Sequence, residues 1–108
     1  MASTVSFVQY VCEQLRGAGE ITYKRMFGEY GLYGDGKFFA VVCDDQLFLK
    51  PTRAVAQAFA PFEVPPYDGA RPYFLIEALE DASLCARMAR MTLDALPYRP
   101  PKGKKSAK

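Results

Sequence analysis

The thiols, which could serve as nucleophiles or soft ligands, are three cysteines, Cys12, Cys43 and Cys85, spaced 31 and 42 residues apart. There is no CxxC pair, and an odd count does not make a complete disulfide framework. A reactive thiol would want a neighbouring base, and the chain contains no His. That absence removes Ser-His-Asp and Cys-His nucleophilic systems, His-ligated zinc and histidine pH switching. Each cysteine falls in an apolar pattern, where it behaves as a small hydrophobe. We expect three buried or part-buried thiols in a reducing, cytoplasmic setting. Carboxylates and lysines remain for acid–base work, but no spacing nominates a pair. No catalytic residue, cofactor or metal is expected.

Charge divides unevenly along the 108 residues, which carry +2 overall. From Pro97 onward, PYRPPKGKKSAK holds Arg99, Lys102, Lys104, Lys105 and Lys108 and no acid, leaving residues 1–96 at −3. The folded body therefore has no net positive field for a polyanion. The tail is rich in Pro, Gly and Lys and cannot repay ordering entropy, so it reads as disordered. Its cations would give weak, salt-sensitive nucleic-acid contact. No apolar run approaches the ~20 residues of a membrane-spanning helix, and MASTVSF lacks the features of a signal peptide.

The elements that would hold any site follow from periodicity. Residues 4–16 predict a helix whose stripe is Val5, Val8, Cys12 and Leu15 with Val11, capped by Ser3 or Thr4 and ended by Gly17. Phe7 and Tyr10 lie off that stripe. Ile21 to Tyr33 reads as one extended segment, with Met26, Tyr30 and Leu32 on one face and Phe27 and Tyr33 on the other. Gly28 and Gly31 inside it predict a bulge, a bend, a close crossing or a ligand-approach site, the last of these serving the alternative of a small-molecule-binding sensor or enzyme. Asp35-Gly36 predicts a type I′ hairpin turn, and Asp44-Asp45 a second reversal, so 23–50 is a three-stranded antiparallel meander.

Thr52 then caps a helix over Arg53–Ala60, facing the core through Val55 and Phe59 and stopped by Pro61. Phe62–Tyr67 and Arg71–Glu77 flank Asp68-Gly69 as a second hairpin, its first arm at a sheet edge because of Pro65-Pro66. Asp81 caps a last helix over Ala82–Leu96, with Leu84, Met88, Met91 and Ala95 inward and Arg87, Arg90 and Asp94 outward.

Within this order, Lys24-Arg25-Met26-Phe27-Gly28-Glu29-Tyr30-Gly31-Leu32-Tyr33, followed by Asp35-Gly36-Lys37-Phe38-Phe39-Ala40 and Leu47-Phe48-Leu49-Lys50, resembles the N-terminal domain of the TfoX/Sxy family. The resemblance implies an α+β fold, α-β(3)-α-β(2)-α, with a five-stranded antiparallel sheet packed with helices and a likeness to secretion chaperones. It implies one domain over 1–96, followed by the tail at 97–108. It also implies a non-enzymatic role in regulating DNA-uptake competence in bacteria, through a protein partner such as the cyclic-AMP receptor protein. We expect the contact, with a transcription factor or RNA polymerase, to be made through an exposed sheet or helix face. The second, helical domain of the full-length regulators has no counterpart in these 108 residues.

Within the signature, Met26, Phe27, Tyr30, Leu32 and Phe39 read as packing residues, while Gly28 and Gly31 serve backbone geometry. Tyr33, Asp35, Gly36 and Lys37 complete the motif. Lys24, Arg25 and Glu29 are the polar members free to meet a partner, Arg25 because its planar fork binds anions bidentately. Edge strands and Tyr10 would also suit a homodimer.

Overall fold

Three tight turns of the same kind fold the first half of the sheet. The computed structural model describes residues 3–96. In it Phe27-Gly28, Asp35-Gly36 and Asp44-Asp45 all have positive φ, between 50° and 84°. Positive φ at both central residues is the type I′ geometry, whose twist matches that of the strands it joins. The turns connect β1 (Ile21–Met26), β2 (Glu29–Gly34), β3 (Lys37–Cys43) and β4 (Gln46–Leu49).

Among the described residues the sheet consequently has six strands rather than five, because the single extended segment expected over 21–33 reverses at Phe27-Gly28. An aromatic residue in left-handed backbone is a poor turn signal, since its Cβ crowds the following carbonyl. That hid the turn.

Around the meander stand α1 (Val5–Gln14), a 3-10 turn (Arg16–Ala18), α2 (Arg53–Phe59), β5 (Phe62–Val64), β6 (Tyr73–Ile76) and α3 (Ala82–Ala95). The strand order is β1-β2-β3-β4-β6-β5, antiparallel throughout, so β5 is the edge strand that Pro65-Pro66 predicted. Thr4, Thr52 and Asp81 cap α1, α2 and α3, each side chain accepting a backbone N–H three residues on.

Three helix details differ from expectation. Gly17 lies inside the 3-10 turn, and the positive-φ glycine after α1 is Gly19, whose tight bend leaves no room for a Cβ beside the Asp35 carboxylate. On α3 the buried stripe is Cys85, Met88, Ala89, Thr92 and Leu93, displaced from the expected Leu84-Met88-Met91-Ala95 line. Likewise Val5 is exposed on α1 and Phe7 packs on the core instead.

The sheet separates two apolar layers. Between sheet and helices lie Val8, Val11, Leu15, Leu32, Phe39, Val42, Leu47, Leu49, Val55, Phe74, Cys85 and Leu93. Against the other face lie Val41, Cys43 and Phe48, joined by Phe38, Val64, Tyr73 and Leu75, with no helical residue among them. A bulge serves this split. The pairing jumps from Leu32↔Ala40 to Tyr33↔Phe38, so Phe39 and Ala40 both enter the helix-side core. The extra residue breaks the two-residue period and returns Phe38 and Val41 to the opposite face.

Candidate functional site

The helix-free face of the sheet leaves apolar surface in reach of a partner. Residues 65–72, between β5 and β6, supply Pro66, Tyr67, Ala70 and Arg71 to the walls of a groove of about 790 Å³. Its other walls are Met26, Phe27, Glu29, Tyr30, Phe38, Val41, Cys43, Asp44 and Tyr73. That volume falls in the range of pockets that hold ligands or partner side chains, roughly 300–1,000 Å³.

Two aromatics stand at its rim. Phe27 is 95% exposed and Tyr67 58%. Phe27 in addition has φ +52°, a backbone conformation that costs a β-carbon residue roughly 1–2 kcal/mol. Packing at this site does not explain a large hydrophobe held so openly.

The groove's titratable lining is kept neutral where it is apolar. Burial, aided by Glu29 and Asp44, pushes the Cys43 thiol up to about 11. Burial also raises the Tyr73 hydroxyl, with Tyr67 and Cys43 adding to the effect. Cys43 is thus a protonated hydrophobe at neutral pH rather than a nucleophile. Cys85 behaves alike in the helix-side core, its thiol pushed up to about 11 mainly by burial. All three cysteines are free thiols. Among the described residues no cluster of three or more metal-ligating side chains forms.

The structure takes the signature apart by role. Asp35 accepts the Glu20 backbone N–H at 3.0 Å and an Arg90 Nη1 hydrogen bond at 3.1 Å. Arg90 also donates to Ala18 O and to Asp94, so one guanidinium joins α3, the 3-10 turn and the β2–β3 turn. The backbone bond first and the Arg90 bond second hold the Asp35 carboxyl below its usual range. Lys37 Nζ donates to Leu93 O and Leu96 O at 2.7 and 3.0 Å, closing the C-terminal end of α3. Gly36 supplies the second positive φ of its turn. Tyr30 and Leu32 are core, and Gly31 is covered by Met26 and Phe38.

Lys24, Arg25 and Glu29 do not form one patch. Lys24 lies 5.5 Å over the Tyr33 ring, and Arg25 5.4 Å over Tyr30, on opposite faces of β1 because neighbouring strand residues alternate. Glu29 accepts Ser3 N at 2.9 Å and Asp44 N at 2.8 Å, while Ser3 Oγ accepts Asp45 N. The carboxylate pins the segment before α1 to the β3–β4 turn. Arg99, Lys102, Lys104, Lys105 and Lys108 lie outside the described residues.

Comparison with known proteins now bears on the same residues. A family model described as the TfoX N-terminal domain matches residues 13–96. The chain belongs to the TfoX N-terminal domain family. It is also 35% identical to a protein of Spirochaeta aurantia described as an uncharacterized 12.7 kDa protein in the trpE 5′ region, over 98% of this chain and 94% of that one. A TfoX N-terminal domain therefore has six strands here, and its motif combines fold joints with one displayed aromatic. Sequence reasoning placed Phe27 among the packing residues and missed Val41, Cys43, Tyr67, Arg71 and Tyr73 as one surface. Pro65-Pro66 was the usable signal, since it takes the chain off the sheet edge.

Proposed function

We propose that this chain is a non-enzymatic interaction module in transcription control, a competence-regulator-like domain that contacts a transcription factor or RNA polymerase. Membership of the TfoX N-terminal domain family supports the regulatory setting. The observation that carries the interaction reading is Phe27, held 95% exposed at a left-handed position on the rim of an apolar groove. Exposed aromatics beside an apolar pocket are the usual anchors of protein interfaces, where a few such residues carry most of the binding energy. The side chain contributes little to the core, so retaining it against its backbone cost fits recognition better than folding.

The test is a nuclease-treated pull-down from host lysate with the full chain and its Phe27→Gly variant. Glycine suits the turn, so the variant folds. Recovery of a transcription factor or polymerase subunit by the parent and its loss with Phe27→Gly is the expected result. Equal recovery by both would remove Phe27 and its groove from the interaction.

A further inference from the structure

Charge at the groove points to what enters it. Three of its lining residues are ionic: Glu29, Asp44 and Arg71. Glu29 is already engaged by two backbone N–H groups. The Asp44 carboxylate and the Arg71 guanidinium have no ion pair or side-chain hydrogen bond among the described residues, with each other or with anything else. Either one alone would be an ordinary solvated charge. Together they place opposite signs on the walls of one groove whose remaining lining is chiefly aromatic and aliphatic.

We propose that the groove binds a peptide segment of a partner protein, with a large apolar side chain between a basic residue that meets Asp44 and an acidic residue that meets Arg71. This rests on the interaction reading above and gives its partner a chemistry. The apolar side chain fills the space between Phe38, Val41, Tyr67 and Tyr73. Phe27 and Tyr67 line the groove yet stay largely exposed, an apolar surface that a small ligand would leave wet and that a protein surface covers. Aromatics and Arg are the residue types enriched at such interfaces. Rim charges of opposite sign fix the direction of the bound segment and reject a reversed one, contributing selectivity more than affinity.

Three fluorescein-labelled peptides test this with the full chain: Lys-Gly-Phe-Leu-Gly-Asp, Asp-Gly-Phe-Leu-Gly-Lys, and the uncharged Gln-Gly-Phe-Leu-Gly-Asn. Binding is followed by anisotropy for the parent, Asp44→Asn and Arg71→Gln. Asn tolerates the positive φ of the Asp44 turn, so both variants keep the fold. One charge order should bind about threefold to tenfold tighter than the uncharged peptide at low salt, as expected for two rim pairs. That advantage should shrink with added salt and fall in each variant, while the uncharged peptide binds all three proteins alike.

Equal binding of charged and uncharged peptides, a preference that survives both substitutions, or no binding of any peptide would overturn the proposal. So would a concentration-dependent dimer in sedimentation that Phe27→Gly abolishes, since a second copy would then occupy the groove. The two readings fail separately. Partner capture that needs Phe27, with no charge preference among the peptides, overturns only this proposal; capture indifferent to Phe27 overturns the interaction reading itself.

Discussion

Phe27 and Asp35 occupy equivalent positions in successive hairpins, the first left-handed residue of a type I′ turn, and meet that demand differently. Asp tolerates the conformation and uses its carboxylate to bind Arg90 and the Glu20 amide. Phe tolerates it poorly and makes no compensating burial. Phe27→Gly should therefore leave the urea midpoint unchanged or raise it, as relief of backbone strain offsets the added freedom of the unfolded chain. For Asp35 the pH dependence has a definite sign. Its folded pKa is depressed, so the stability it contributes is present above the unfolded carboxylate range and lost as pH falls through the folded value. Asp35→Asn should be less stable than the parent at pH 7. In chemical denaturation at stepped pH, the gap should close below the ordinary carboxylate range. A gap that persists at low pH would mean the charge is not what Asp35 contributes.

Helix α3 meets β2 and β3 through two small features, and these decide how elements join. Lys37 caps the last carbonyls of the helix, where a cation also complements the dipole. Replacing it by Met keeps the stem and removes two charge-assisted hydrogen bonds, which should cost about 1–2 kcal/mol. Amide exchange of Leu96, whose N–H closes on Thr92 O and Leu93 O, should quicken in that variant. Gly34 lies close under the helix: a Cβ there would come within 2.6 Å of Leu93 Cδ1. Gly34→Ala should cost about 1–3 kcal/mol through overpacking, measured as a lower urea midpoint at constant m-value. Gly28, by contrast, has open space around it, and its role is φ +78° alone.

Across the whole molecule, thiols sit on both sides of the sheet. Cys85 belongs to the helix-side core and Cys43 to the opposite layer, and burial pushes both up to about 11. A group whose folded pKa is raised stabilises the protein fully below its unfolded value and loses that contribution as pH rises through the folded one. Stability should thus decline from about pH 9 toward pH 11, and Cys43→Ser or Cys85→Ala should flatten that limb while lowering stability at pH 7. Thiol labelling under native conditions at pH 8 should be slow at Cys43 and Cys85, because buried thiols are scarcely ionised there. A burst of labelling at either would contradict the burial described.

Most of this architecture was legible in local residue types. Thr4, Thr52 and Asp81 announce helix starts because a side-chain oxygen in the cap position satisfies an N–H that no helical carbonyl can reach. Asp35-Gly36 announces its hairpin because few residue pairs accept two positive φ angles, and Pro65-Pro66 announces an edge because proline cannot donate to a ladder. The family signature was visible as well, and with it the α+β class. Tertiary structure alone decided what those residues face. The Phe27-Gly28 reversal is set by the pairing of Arg25 with Tyr30, a contact that no propensity of Phe reveals. The bulge at Phe39-Ala40 and the rotation of α3 onto Cys85 and Thr92 follow from fitting helices onto a twisted sheet. Asp44 and Arg71 become walls of one groove only because 65–72 lies along the helix-free face. Backbone preferences are local and can be read one residue at a time, whereas a surface is made of residues distant in the chain and exists only after the sheet has been ordered.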